Sequence, residues 1–131
     1  MKKFIVLMFI LVTCSYSFTQ AYRYQTYDFY YKYKTGNTWT DWLYVGETND
    51  VVITAISGTK KILINSTEHQ TYYINSHNAY YDFDNDYTID YHCYDQSALS
   101  CLLRFIKRSN GTVQCYIYYA DVAYMYNTSP F

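Results

Sequence analysis

A succession of short runs rich in tyrosine, valine and isoleucine, each closed by a turn signal, most constrains how this chain can fold. Residues 51–56 (VVITAI) and 61–65 (KILIN) are two such runs. β-Branched and aromatic residues suit the half-buried surface of a sheet. Asn110-Gly111 is the strongest short hairpin signal in the chain, because both residues tolerate positive φ. The pattern predicts an all-β protein, an antiparallel meander of about eight to ten short strands.

Short connections between sequential hairpins limit how these strands can be arranged. They favour either a small lipocalin-like barrel or a β-sandwich. The chain has 20 tyrosines and only four glycines and one proline. The tyrosine ring can pack against apolar neighbours while its hydroxyl reaches water. This composition therefore suits a sheet with one buried face and one solvent-exposed face.

The N-terminus has the pattern of an export signal. Lys2 and Lys3 precede residues 4–12 (FIVLMFILV), an uncharged apolar run too short for a membrane span of about 20 residues. We expect a signal peptide over 1–17, with a cut as late as residue 21 as the alternative, and a single β domain over 18–131. The protein is then secreted or periplasmic, without a transmembrane span. Lipid attachment through Cys14 is the minority alternative.

The charge balance argues against nucleic-acid binding. Removal of Lys2 and Lys3 leaves eight Lys and Arg against 11 Asp and Glu, a net charge of about −3 with neutral histidine. We therefore expect no nucleic-acid partner.

Hairpin geometry predicts which cysteines pair. A hairpin centred near Ser97 places Cys93 and Cys101 opposite each other and on one face, which predicts a disulfide between them. Cys115 is left over and is expected to be a buried free thiol.

A two-residue turn at Asn110-Gly111 makes a further prediction about Cys115. In that register Cys115 faces Ile106 on the neighbouring strand. It then lies on the same face as Arg104 and Arg108, and Cys101 points to the other face.

The run at 80–93, YYDFDNDYTIDYHC, contains the densest group of carboxylates. Asp82, Asp84 and Asp86 repeat at spacing two, as in a calcium loop. Tyr87 stands where such a loop needs glycine, and Cys93 where it needs glutamate, so the EF-hand interpretation fails. A looser Ca²⁺ site at a hairpin tip and a solvated acidic turn stay open; no other cofactor is expected.

The candidate ligand-binding residues are Trp39, Trp42 and Tyr44. The two tryptophans, spaced by three, point to opposite faces of a regular strand unless a bend brings them to one side. Exposed aromatic rings stack on the apolar faces of sugars and provide contact area for proteins. The alternative is that both tryptophans anchor the core.

These observations favour a small exported binding module that uses surface aromatics for a glycan or protein ligand. A structural or envelope-interaction protein without a small ligand is the alternative. A polysaccharide hydrolase is a weaker one, because no histidine pair has metal-ligand spacing and no nucleophile motif occurs. We expect no catalytic residues.

Several segments carry a resemblance to a known group of proteins. They are WTDW (39–42), the strand series 51–56, 61–65 and 72–74, the loop CYDQSALSC (93–101) and YIYYADVAYMYN (116–127). Together with the export signal, they resemble an uncharacterised group of small secreted proteins of gut Bacteroidetes. The resemblance implies export and an all-β fold, and it implies no activity.

Overall fold

The computed structural model describes residues 21–48, 51–56, 60–66 and 68–130, and the expected signal peptide lies outside them. The described residues contain no helix. They form ten strands: β1 Ala21–Thr35, β2 Thr38–Trp39, β3 Leu43–Glu47, β4 Val52–Ile56, β5 Lys61–Asn65, β6 His69–Tyr81, β7 Tyr87–Tyr94, β8 Ser100–Lys107, β9 Val113–Tyr118 and β10 Val122–Pro130.

Eight of the strands close into an antiparallel barrel, which decides between the barrel and the sandwich. β4 to β10 are paired in chain order, and the long β1 closes the ring by pairing with β4 on one edge and β10 on the other. β2, β3 and β4 pair with successive parts of β1 and together take the place of one long strand with interruptions. We call these three segments the return strand. The closed sheet leaves few free edges, which is how small β proteins avoid edge-to-edge association.

Most strand boundaries match the alternation in the sequence, and β6 is the main difference. The residue pattern predicts separate strands at 70–75 and 80–83, but the structure has one continuous strand, His69–Tyr81, with a bulge between Ile74 and Ser76. Pairing with β7 supports the polar stretch between them, whose composition alone does not favour a strand. The run Ser-Gly-Thr-Lys at 57–60 predicts a hairpin between the runs 51–56 and 61–65, but residues 57–59 lie outside the described part of the chain.

The middle of the barrel is filled by its own side chains. Inward-facing aliphatic and sulfur-containing residues meet there and are almost completely buried: Ile53, Ile62, Ile64, Leu103, Cys115 and Ile117. Alternation along each strand sends every second side chain into this layer. These side chains fill the middle of the barrel, which we call the waist.

On one side of the waist the barrel opens into a cavity of about 460 Å³, which we call the cup. It lies at the end of the barrel where β5, β7 and β9 end and where β6, β8 and β10 begin. Its walls are mostly aromatic, and the lining residues are Phe29, Gln70, Tyr72, Leu99, Ile117, Tyr119, Asp121, Val122, Tyr124 and Tyr126.

The turn at Asn110-Gly111 differs from the two-residue turn expected. The N–H of Arg108 bonds to the carbonyl of Thr112 and that of Gly111 to Arg108, so three residues form the loop, and Gly111 has a φ of 87°. This type I turn with a left-handed third residue is the next commonest hairpin connection. Lys107 consequently pairs with Val113.

One additional loop residue changes the partners of every residue in the β8–β9 hairpin. Cys115 pairs with Phe105, and Ile106 pairs with Gln114, so the predicted register for Cys115 is wrong. Cys115 points into the barrel, as Cys101 does, while Arg104 lies on the outer face. Cys115 is nevertheless buried and free, as expected.

The β7–β8 turn holds an alanine in a backbone conformation that suits glycine. Ala98 has a φ of 63°, and its N–H bonds to the carbonyl of Asp95 at 3.0 Å. We expect Ala98→Gly to raise the free energy of unfolding by about 0.5–1 kcal/mol, because the left-handed strain of alanine exceeds the entropy that glycine adds to the unfolded chain. Urea unfolding measures the change. Asn85→Gly is the control: Asn85 has a φ of 60° but asparagine tolerates it, so an equal gain there would contradict this explanation.

Candidate functional site: an aromatic patch on the outer face

Both tryptophans lie on the outer face of the barrel, around one lysine. The Lys32 ammonium is 4.6 Å from the centroid of the Trp42 ring, 5.2 Å from that of Trp39 and 5.8 Å from that of Tyr118. Each distance is within the range of a cation–π interaction. The structure thus realises the bend that brings Trp39 and Trp42 to one side.

An interruption of the return strand produces this bend. Trp39 pairs with Lys34, and the backbone N–H of Thr40 bonds to the carbonyl of Tyr33 at 2.9 Å. The chain then leaves the ladder until β3 begins at Leu43. Trp42, in the gap, packs its ring against Tyr116 at 5.7 Å between centroids. The two tryptophans therefore do not follow regular strand alternation.

Tyr44 extends the same surface. It is 59% exposed, and its ring centroid lies 5.3 Å from that of Tyr30 on the neighbouring strand. A second cation, Lys34, places its ammonium 5.3 Å from the Trp39 ring. We call the surface formed by Trp39, Trp42, Tyr44, Tyr30, Tyr118, Lys32 and Lys34 the aromatic patch.

A small apolar cluster supports the aromatic patch from below. Ile106, Tyr116 and Met125 are buried on the outer side of the sheet, and Trp42 and Tyr30 pack on them. Stacking between Tyr116 and Tyr118, with centroids 5.8 Å apart, continues the cluster. The rings are therefore held in place before any ligand arrives, which lowers the entropy cost of binding.

An ion pair fixes the edge of the patch. Arg104 donates from Nε and Nη2 to the two carboxylate oxygens of Asp90, at 2.7 and 3.0 Å, and Tyr80 donates its hydroxyl to the same carboxylate at 2.9 Å. Burial alone would raise the pKa of Asp90, but these hydrogen bonds outweigh it and hold the pKa below its ordinary value. The Arg104 guanidinium also lies 5.7 Å from the Tyr118 ring.

The three aspartates predicted as a calcium site do lie together. One carboxylate oxygen from each of Asp82, Asp84 and Asp86 falls within 4.8 Å of the others. Asp82 already accepts the N–H groups of Asp84 and Asp86, and Asp86 accepts a hydrogen bond from Arg108 at 2.9 Å. An aspartate side chain that accepts backbone N–H groups of its own turn is common in hairpin turns without a metal. Ca²⁺ binding stays a prediction.

The disulfide predicted between Cys93 and Cys101 is not formed, although the two residues lie opposite each other on neighbouring strands, as predicted. Cys93 and Cys101 are directly opposite on β7 and β8, and both are buried free thiols. Asp95 donates its N–H to Leu99, and hydrogen-bonded pairs alternate along a ladder, so Cys93 and Cys101 form a hydrogen-bonded pair. Such pairs hold side chains further apart than the close pairs that suit a bridge. Burial raises the pKa of Cys93 to about 12, so its thiolate is scarce at neutral pH.

Sequence reasoning found three members of the patch and missed the residues that organise it. Trp39, Trp42 and Tyr44 lie on one surface. Tyr118 belongs to a tandem tyrosine pair for which strand alternation predicts one outward ring. Lys32 was not singled out, because its contact with Tyr118 depends on the β1–β10–β9 order of the closed barrel. The alternation within β1 puts Lys32 on the same face as Tyr30, and that was the one signal available.

Protein-family models, curated proteins and solved structures yield no match to this chain. Within the described ranges there is no helix of sufficient length and apolarity to cross a membrane.

Proposed function

We propose that this chain is an exported binding module that recognises a glycan through the aromatic patch. The observation that carries the proposal is the assembly of Trp39, Trp42 and Tyr118 around the Lys32 ammonium on the outer face. Tyr44, beside them, is open to solvent. The role of the patch and the export of the chain are parts of the same proposal.

The chemistry of the patch suits a sugar. The C–H face of a pyranose ring is apolar and stacks on an indole or phenol ring, while its hydroxyls need hydrogen-bond donors. Lys32 and Lys34 supply ammonium donors within 5.3 Å of the centroids of the tryptophan rings. Two cations beside the rings favour a glycan that carries a carboxylate or sulfate group, because an opposite charge adds to the stacking.

A glycan array tests the proposal. We expect the purified chain to bind acidic glycans and Trp42→Ala to weaken that binding at least about tenfold, as loss of a central aromatic anchor does. Tyr44→Ala serves as the variant least able to disturb folding, because its ring is exposed, and we expect it to weaken binding about threefold.

The matched control is Tyr81→Ala at the opposite end of the barrel. Tyr81 is 67% exposed, like Tyr44, but contacts Tyr87 rather than the patch. Circular dichroism checks that each variant is folded. An array without any bound glycan, or equal losses in Tyr44→Ala and Tyr81→Ala, would contradict the proposal.

A protein ligand is the second candidate, favoured by the edge of β3. β3 pairs with β1 on one side only among the described strands, and three consecutive apolar residues, Leu43, Tyr44 and Val45, are exposed there. An unpaired edge of this kind accepts an extended peptide as a further strand. Loss of peptide binding in Val45→Pro would favour this candidate, because proline obstructs strand pairing at the β3 edge. The same binding should be kept in Trp42→Ala, which changes the aromatic patch and leaves that edge as it is.

A further inference from the structure

Five aromatic rings line the cup, and four of them are linked by ring contacts. Phe29 stacks on Tyr124 with centroids 5.8 Å apart and lies 4.7 Å from Tyr126. Tyr119 meets Tyr124 edge to face at 6.4 Å. Tyr72, almost completely buried, completes the set near the floor. A ligand in the cup is therefore surrounded by ring faces and edges.

Hydrogen bonds hold two of these rings in position. Tyr72 donates its hydroxyl to the Gln70 side-chain oxygen at 2.6 Å, and Tyr119 donates to the Asp95 carboxylate at 2.9 Å. The Asp95 carboxylate also accepts two backbone N–H groups of its own turn, and these bonds lower its pKa, so it is charged at neutral pH. The cup is therefore pre-formed, as ligand cavities usually are.

The charges around the cup are of one sign. Asp121 lines it, Asp95 lies directly behind Tyr119, and none of the described lining residues is a lysine or an arginine. Lys34 is the cation close by, since its backbone N–H bonds to the carbonyl of Asp121. Its ammonium, however, lies over the Trp39 ring in the aromatic patch.

We propose that the cup binds a small organic cation, an amine or quaternary ammonium on an apolar body. Aromatic faces attract a cation through their quadrupole, and the Asp121 carboxylate in the lining and the Asp95 carboxylate behind Tyr119 add to that attraction. The volume of about 460 Å³ is in the range that buries a small ligand. An anion meets the opposite field and has no cationic side chain among the lining residues.

Isothermal titration calorimetry with three probes of similar size tests the inference. They are benzyltrimethylammonium, the neutral N,N-dimethylbenzamide and the anionic benzylsulfonate. We expect the cation to bind at least about tenfold more tightly than the neutral probe, and the anion to give no measurable binding. Equal affinities for the cation and the neutral probe, or a preference for the anion, would overturn the proposal.

Substitutions locate the site. Asp121→Asn removes one exposed carboxylate and is expected to weaken binding of the cation about threefold while leaving the neutral probe unchanged. Tyr124→Leu removes a ring wall and is expected to weaken the cation about tenfold. Asp41→Asn is the matched charge control, because Asp41 is exposed and is not among the residues that line the cup. A similar loss in Asp41→Asn, or unchanged cation affinity in Asp121→Asn, would show that the attraction is not local to the cup. Trp42→Ala is expected to leave the cation affinity unchanged, so this test is independent of the glycan proposal.

Discussion

Leu103→Ala is expected to lower the free energy of unfolding by about 3–4 kcal/mol, one of the largest effects of any single substitution in this chain. Leu103 is 0% exposed and lies in the waist, where it pairs with Tyr91 on one side and Ile117 on the other. Truncation removes buried methyl groups and leaves a cavity that a closed barrel has little freedom to collapse.

Leu99→Ala is the matched control for that prediction. It removes the same atoms from a leucine that is 57% exposed at the rim of the cup, so we expect a loss below about 0.5 kcal/mol. Urea unfolding of both variants, analysed at a common slope, gives the comparison. Similar losses in the two variants would mean that the waist is not the main source of stability.

The sequence was sufficient to locate most strands because strand formation here follows local pattern. The residue pattern predicts strands at 61–65 and 87–94, and both segments are strands with those limits. The polar centre of β6, around Asn78, shows the limit of that approach. It is a strand because β7 provides its hydrogen bonds, with Asn78 opposite Asp90, and no composition rule contains that information.

Closure and register depend on interactions that are not local. Asn127 donates to the Asp28 carboxylate at 2.6 Å across 99 residues of sequence, within the β1–β10 ladder that closes the barrel. The alternation predicts neither this partner nor the choice of barrel over sandwich. The third residue in the loop that ends at Gly111 shifts the register of β8 against β9 by one residue. Such a shift exchanges the two faces of a strand, so the predicted partner of Cys115 was wrong.

The aromatic patch was partly predictable. The two tryptophans and Tyr44 were identified by residue type, but a spacing of three left the relative orientation of Trp39 and Trp42 open. The departure of the chain from β1 at Thr40 decided it. Lys32 joins them because β1 runs beneath both rings. The cup was outside sequence reasoning altogether, since its walls come from β1, β6, β9 and β10.

The second large effect is expected for Asp90→Ala, at about 2–3 kcal/mol of unfolding free energy. The Asp90 side chain is 12% exposed, and its carboxylate satisfies two nitrogens of Arg104 and the hydroxyl of Tyr80. Removing it leaves a partly buried guanidinium without its counter-charge, which costs more than the pair itself contributes. Arg104 is 31% exposed and can regain some water, so the loss is smaller than for a fully buried pair.

The same contacts predict a dependence on pH. The pKa of Asp90 is lower in the folded chain than in the unfolded one. The ionised side chain therefore makes its full contribution to the free energy of unfolding at pH values above the pKa of the unfolded chain, near 3.9. This contribution is lost as the pH falls from there through the folded pKa, because the folded state then has to take up a proton that weakens its bonds to Arg104. Asp90→Asn is therefore expected to unfold less steeply with acid than the wild type, although the lowered pKa of Asp95 leaves some acid sensitivity.

Urea unfolding at pH 7 and at pH 3 checks both statements. Asp86→Ala is the control at pH 7, since its pair with Arg108 has a single contact at 2.9 Å and is expected to cost about 1 kcal/mol. The double variant Asp90→Ala/Arg104→Met is expected to recover at least about half of the loss, because it removes the unpaired charge and leaves an apolar side chain of similar length over Tyr118. If the double variant is as unstable as the sum of its single variants, or if Asp90→Asn has the acid sensitivity of the wild type, the pair does not stabilise the barrel in the way its geometry indicates.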